Sequence, residues 1–217
     1  MAASKAVTKS KPALFDDERA GNIYRTAAQM IYEKGFDATS MSEIADAVQL
    51  TKPGLYYYVK GKKELLFAIM NFAMDLLEER VVVKARAAED AETRLRIIIG
   101  EHARLLTRDA GALAILIDEV AGLNPKQKEE ITRRKRAYFD LLRQTLEELK
   151  EEGKLRPVDL TVAAFSLLGM VMWISRWYAS EGRLRGDDVV QDITEIAAGA
   201  MLQGESARQT AFVPLSI

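Results

Sequence analysis

Between positions 39 and 62 the chain gathers side chains suited to holding a phosphodiester backbone and reading base edges, not to making or breaking bonds. Lys52 carries a cation that can reach a phosphate or a base edge, the hydroxyls of Tyr56 and Tyr57 can donate to phosphate oxygens, and the Pro53 ring can lie against a thymine methyl. Thr51 is a natural helix N-cap, and a proline just after it costs nothing because its missing N–H would have no helical partner. Core packing is the competing use for three successive tyrosines. The helical register assigns it to Leu55 and Tyr58 and leaves Tyr56 and Tyr57 on the groove side.

Enzyme chemistry has little material here. With zero cysteines among 217 residues, disulfides, thiolate zinc sites, iron–sulfur clusters and cysteine nucleophiles are all excluded. The same lack is compatible with a reducing cytoplasm, the expected location. His102 is the single histidine and cannot build a histidine-rich metal site; on a regular helix it reads as packed or surface. There is no glycine-rich phosphate loop and no nucleophile elbow, and the paired Glu151 and Glu152 sit among lysines as solvated surface. Neither a cofactor nor a metal is expected.

The elements that position these residues follow from periodicity and caps. Asp16, Asp17 and Glu18 suit the positive end of a helix dipole, Ile23, Ala27, Met30 and Ile31 recur at helical spacing, and Gly35 ends that helix. Ser40 and Glu43 form a capping box opening a short helix to about Val48. After a turn at Gln49 and Leu50, a second short helix runs from about Lys52 to Tyr58; Gly61 breaks it, and a longer helix follows with Leu65, Leu66, Ile69, Phe72, Ala73 and Leu76. Two short helices joined by a tight turn make a helix-turn-helix, whose second helix enters the major groove. Through Lys63 there are ten basic residues against seven acidic ones, a +3 excess on a chain of net charge −1, weak support for a nucleic-acid module. Residues 1–15, with Lys5, Lys9 and Lys11 and no apolar core of a signal peptide, read as a disordered basic arm, and 205–217 as a loose tail.

The runs 35–48, 50–59 and 62–65 together resemble the DNA-binding domain of TetR-family transcriptional regulators. The resemblance implies a helix-turn-helix at 40–59 within a domain of 16–76, followed by an effector-binding and dimerisation domain at 77–204. It implies that Thr39 or Ser40 and Lys62 hold backbone phosphates while Ser42, Lys52, Pro53, Gly54 and Tyr56 face the bases; Thr51 and Tyr57 complete the DNA-facing set. Two positions depart from the family pattern. Gln49 stands where a glycine is common, and a left-handed conformation there costs a non-glycine residue about 1–2 kcal/mol. Gly54 stands where many members carry threonine, removing one possible base contact.

Beyond Leu76 the chain passes through three valines and a charged stretch to helices marked by Leu95 to Leu106, by Leu113 to Val120, and by a long amphipathic pattern opened at Asn124 and Pro125 and stopped by Gly153 and Pro157. Asp159 caps a helix to about Tyr178 that is apolar nearly all round, and a last amphipathic helix carries Val189, Ile193, Ile196, Ala197, Ala200 and Met201. The longest apolar stretch, 162–175, is shorter than the roughly 18 residues of a membrane span, so a buried helix and no membrane partner are expected. A helix apolar on every side needs cover on every side, which predicts a homodimer built from 159–178 and 187–203 of each copy.

Leu116, Phe139, Met170, Trp173, Arg176 and Trp177 are the expected effector contacts. The last third resembles, more softly, TetR-family regulators of fatty-acid and sterol catabolism, several of which sense acyl-CoA thioesters. By that resemblance Arg176 and the cluster Arg133, Arg134, Lys135 and Arg136 are candidates for CoA phosphates, against a solvated face pairing with Glu129 and Glu130. The expected protein is all-α: an N-terminal three-helix helix-turn-helix domain plus a C-terminal helical ligand-binding and dimerisation domain. It would act as a repressor released from a palindromic double-stranded DNA operator by a small apolar effector such as an acyl-CoA or fatty acid. The alternatives are a helical enzyme or lipid carrier with an incidental helix-turn-helix, and a constitutive DNA-binding protein without effector.

Overall fold

The computed structural model describes residues 14–118 and 122–204. The expected tail at 205–217 lies outside the described residues, as does the expected arm except for Leu14 and Phe15, which already belong to the first helix.

Helix α1 (Leu14–Lys34) ends at Gly35, whose φ of +87° is open to glycine at no steric cost. Helices α2 (Met41–Ala47) and α3 (Lys52–Tyr58) lean on α1 and on α4 (Lys62–Leu77) through Ile44, Ala45, Leu55, Leu65, Leu66 and Ile69, all fully buried. Each leucine and isoleucine among them contributes roughly 1.5–3 kcal/mol of burial, which holds two seven-residue helices too short to persist alone.

Helical structure then continues across position 77, where the sequence suggested a passage between modules. A π-helical turn (Glu78–Val82) joins α4 to α5 (Val83–Arg86), so one helical run spans 62–86. Val81 and Val82 point into the core, and the charged residues beside them occupy the outer face. Helix α6 (Ala91–Arg108), capped by Asp90, is the axis of the body. It packs against α7 (Ala110–Asp118), α8 (Pro125–Glu151), α9 (Leu160–Met172), α10 (Ile174–Trp177) and α11 (Gly186–Met201).

The module carrying α2 and α3 is tied to this body at several points. Gly111 on α7 lies so close to α1 that a Cβ there would stand 2.9 Å from the Gln29 Cα. Arg25 donates to Asp109 at 2.8 Å, Arg134 on α8 to Asp75 on α4 at 2.6 Å, and the Tyr32 hydroxyl to the Ser175 carbonyl at 2.7 Å. A short bridge between Leu155 and Leu202 fastens the ends of α8 and α11, a pairing with no sequence signature.

The segment Leu160–Trp177, with mean hydropathy 1.4 over 18 residues, is long and apolar enough to cross a membrane, unlike the shorter window read from sequence, and 33% of it is buried within the protomer. Ala163, Ala164, Leu167 and Val171 form its core side. Val162, Phe165, Gly169 and Trp173 form an outer stripe, Trp173 being 64% exposed. The helix is bent where Arg176 N donates to the Trp173 carbonyl, a three-residue step that tightens the turn.

Candidate nucleic-acid interface and effector cavity

The helix-turn-helix is built by its own caps. Ser40 Oγ accepts from Glu43 N at 3.2 Å while Glu43 Oε2 accepts from Ser40 N at 2.8 Å. These bonds to Ser40, with help from Lys34, hold the Glu43 carboxyl at about 2. The intervening turn runs through Gln49 at φ +55°, the left-handed geometry expected where a glycine is common. Thr51 Oγ1 accepts from Gly54 N at 3.2 Å and so fixes the start of α3.

This framework exposes Ser40, Ser42, Thr51, Lys52, Pro53, Tyr56 and Tyr57 on one side and sinks Leu55 and Val59 on the other. Tyr57 is 79% exposed and Tyr56 42%, whereas Tyr58 packs on the core, the division read from the register. Gly54 is half-buried beside Thr51. Thr39 is different. Its side chain is fully buried and donates to the Gly35 carbonyl at 2.9 Å, so its hydroxyl does not reach a phosphate; of the pair Thr39 and Ser40, only Ser40 is exposed. Lys62 donates to the Asp37 carbonyl at 3.1 Å and lies 4.5 Å from the Phe36 ring centre, which steers its ammonium to the entry of α2 while leaving two of its protons unspent.

A second concavity, of 490 Å³, lies between α4, α6, α7, α8 and α9. Met74, Leu77, Leu113, Leu116, Phe139, Phe165, Leu168 and Met172 make its wall apolar; Thr132, Lys135 and Arg136 form a polar flank, and His102 and Tyr138 a polar spot. Helical geometry explains the set: Thr132, Lys135, Arg136 and Phe139 recur at three- and four-residue steps on α8, as do Phe165, Leu168 and Met172 on α9. Burial lowers the Lys135 ammonium from its ordinary range, and it donates to the Leu116 carbonyl at the end of α7. His102 Nδ1 and the Tyr138 hydroxyl are 3.0 Å apart. Burial holds the imidazole neutral, its pKa lowered to about 4, and raises that of the phenol far above the physiological range.

Beside this cavity runs a groove of 480 Å³ formed by Pro125, Lys128, Glu129, Thr132, Arg133 and Arg136, three of them basic. Thr132 and Arg136 belong to both. The basic cluster of α8 therefore divides. Arg134 braces α4, Lys135 faces the apolar cavity, Arg133 faces the groove and Arg136 stands between the two. A larger groove of 900 Å³ follows α1 and α4, but Glu64, Asp75 and Glu79 line it, which disfavours an anionic occupant.

Of the effector contacts expected from sequence, Leu116 and Phe139 are in the cavity wall; Met170, Trp173, Arg176 and Trp177 are not. Met170 packs on the core, Trp173 and Trp177 face outward, and the Arg176 guanidinium lies 5.8 Å from the Tyr32 ring centre. An all-round apolar helix does not disclose which flank meets a cavity. Leu168 and Met172 on the neighbouring flank are the ones that do, with exposed Phe165 at the border between that flank and the outer stripe. Lys135 and Arg136 of the basic cluster line the cavity too, whereas His102 and Tyr138 were missed as cavity residues; the signal for His102 was a polar side chain within the apolar stripe Leu95, Ile98, Ile99, Leu105 and Leu106.

Comparison with known proteins decides the family. Residues 23–69 match the model of bacterial regulatory proteins of the tetR family, and residues 88–201 match the tetracyclin repressor-like C-terminal domain. The chain belongs to the TetR family. Like other TetR-family regulators it is a DNA-binding, homodimeric transcription regulator and not an enzyme. The crystal structure of AibR in complex with isovaleryl coenzyme A and operator DNA is similar to this regulator at 38% identity and a TM-score of 0.73, covering 82% of this chain and 97% of that one. The transcriptional repressor KstR2 of Mycolicibacterium smegmatis is 25% identical over 91% of this chain and 96% of its own, and the transcriptional activator FasR of the same species is 23% identical over 85% and 84%.

Proposed function

We propose that this regulator is a cytoplasmic repressor released from a palindromic operator by an acyl-CoA thioester or fatty acid. The supporting observation is the pairing of an apolar cavity with a basic groove through Thr132 and Arg136, which fits an effector with an apolar tail and an anionic head. The likeness to AibR, whose complex contains isovaleryl coenzyme A and operator DNA, supports the same reading. In it, residues 16–76 form the DNA-binding domain and 77–204 the effector and dimerisation domain. Ser40, Ser42, Lys52, Pro53, Tyr56, Tyr57 and Lys62 contact DNA from α2, α3 and the start of α4. The outer stripe of α9, with Ile196 of α11, forms the dimer seam, which sets the two α3 helices about 34 Å apart to read one face of the duplex.

Helix α7 is the element through which an effector would act. Leu113 and Leu116 wall the cavity, while Gly111 on the same helix presses on α1. An effector that shifts α7 therefore shifts α1 and the helix-turn-helix packed on it, so operator and effector bind with reciprocal negative coupling. Calorimetric titration with isovaleryl-CoA, longer acyl-CoAs and free fatty acids tests the reading: saturable 1:1 binding per protomer is expected for one class, and no heat from any of them contradicts it. Gly111→Ala, whose Cβ must push α7 from α1, is expected to reduce effector-driven loss of operator affinity at least fivefold at saturating effector, measured by fluorescence anisotropy of a labelled operator.

A further inference from the structure

The polar spot in the cavity has a proton to spare. His102 and Tyr138 are both more than nine-tenths buried, both line the cavity, and among the described residues their only hydrogen bond is to each other. The neutral pair carries one imidazole N–H and one phenol O–H, and a single bond uses one of them. If the Tyr138 hydroxyl donates to Nδ1, the Nε2–H of His102 is left; if Nδ1–H donates to the hydroxyl oxygen, the phenol O–H is left. Either tautomer leaves one donor unspent. A donor shut off from water without an acceptor costs on the order of 1–3 kcal/mol, and apart from the flank of Thr132, Lys135 and Arg136 the cavity that this pair lines is walled by aliphatic and aromatic side chains.

We infer that the His102–Tyr138 pair is a hydrogen-bond reader for a neutral carbonyl oxygen on an otherwise apolar effector, and so makes this cavity specific for acyl compounds over their hydrocarbon or thioether analogues. The inference rests on the cavity being the effector site, as proposed above. A neutral acceptor fits the pair better than a carboxylate, because the pair itself is uncharged and the cations that can meet a charge are those of the polar flank, Lys135 and Arg136. A charged head is held there, and the uncharged carbonyl between head and tail meets the pair. Sites that satisfy a polar group of the ligand in this way reject an analogue lacking it more strongly than apolar pockets distinguish one methylene.

The test compares isovaleryl-CoA with S-(3-methylbutyl)-CoA, the thioether that lacks the carbonyl oxygen, by calorimetric titration of the full-length protein. The wild type is expected to bind the thioester at least tenfold more tightly. In His102→Leu/Tyr138→Phe, which removes both partners and leaves no orphan, the two ligands are expected to bind within threefold of each other. Equal binding by the wild type, or a tenfold preference that survives in the double variant, overturns the inference while leaving the effector site in place. Failure of both ligands to bind the wild type overturns the effector reading itself. A second measurement needs no variant: the carbonyl stretch of bound, carbonyl-labelled isovaleryl-CoA is expected below its frequency in a hydrocarbon solvent, and a stretch at the hydrocarbon value overturns the inference.

Discussion

The helix-turn-helix draws its exposed polar and aromatic groups from positions 40–62, whereas the cavity collects its wall from α4, α6, α7, α8 and α9, between residues 74 and 172. In the first region most of these residues are placed by a neighbour in sequence: Ser40 by Glu43, Gly54 by Thr51, Tyr56 by the register of one short helix; Lys62, which reaches the Asp37 carbonyl, is placed across 25 residues. In the second, placement depends on how helices far apart in the chain cross, as where Lys135 reaches back to Leu116 or Tyr138 meets His102. A local site can change its surface residues without changing its shape. A site assembled from crossings changes shape when any one crossing moves, and that property suits it to transmit the presence of a ligand.

The sharpest way to break this comparison is at the seam between copies. Trp173→Glu puts a charge on the outer stripe of α9, and sedimentation is expected to show a monomer whose operator affinity falls about 100-fold or more, the avidity that two linked half-sites supply. Next in size is Lys52→Ala/Tyr56→Ala, expected to lower operator affinity about 30-fold or more in anisotropy titrations, at about 1–3 kcal/mol for each of two base-reading contacts. Because the site is local, effector affinity and the thermal midpoint should not move; a parallel loss of effector binding would erase the distinction between the two regions.

Stability against pH separates them again. The His102 pKa is near 4 in the fold and near 6.5 when unfolded, so between those values the unfolded chain binds the extra proton. Stability is therefore full above about pH 6.5 and declines toward pH 4, by roughly 2–3 kcal/mol from this group. Urea titrations across that window should show the slope in the wild type and not in His102→Leu. The smallest effect belongs to the turn: Gln49→Gly relieves a left-handed non-glycine residue and is expected to raise stability by up to about 1 kcal/mol, with no change in the cavity.

The same contrast explains what could be read from the sequence. The capping box, the turn at Gln49, the cap at Thr51 and the inward Leu55 were all legible because each follows from residues three or four apart. Thr39 was not, because its burial depends on how the chain packs back over the end of α1, where the hydroxyl also meets the Met30 carbonyl nine residues earlier. The continuation of α4 past Leu77 was hidden by three valines, which favour strands in isolation but here pack two of their number in the core. In the cavity, Leu116 and Phe139 of the apolar wall and Lys135 and Arg136 of the basic cluster were anticipated; the rest was not, since the aromatic and methionine cluster of α9 marks an apolar helix without marking its flank.

The most direct test of the account starts with selection of bound sites from random duplexes by the purified protein, followed by titration of the enriched site with isovaleryl-CoA. The account predicts a palindrome with half-sites one helical turn apart, lost with Lys52→Ala/Tyr56→Ala, and release of the wild-type protein as the thioester fills one site per protomer. A palindrome that stays bound in the presence of every acyl-CoA and fatty acid, at concentrations that saturate the cavity, would contradict it.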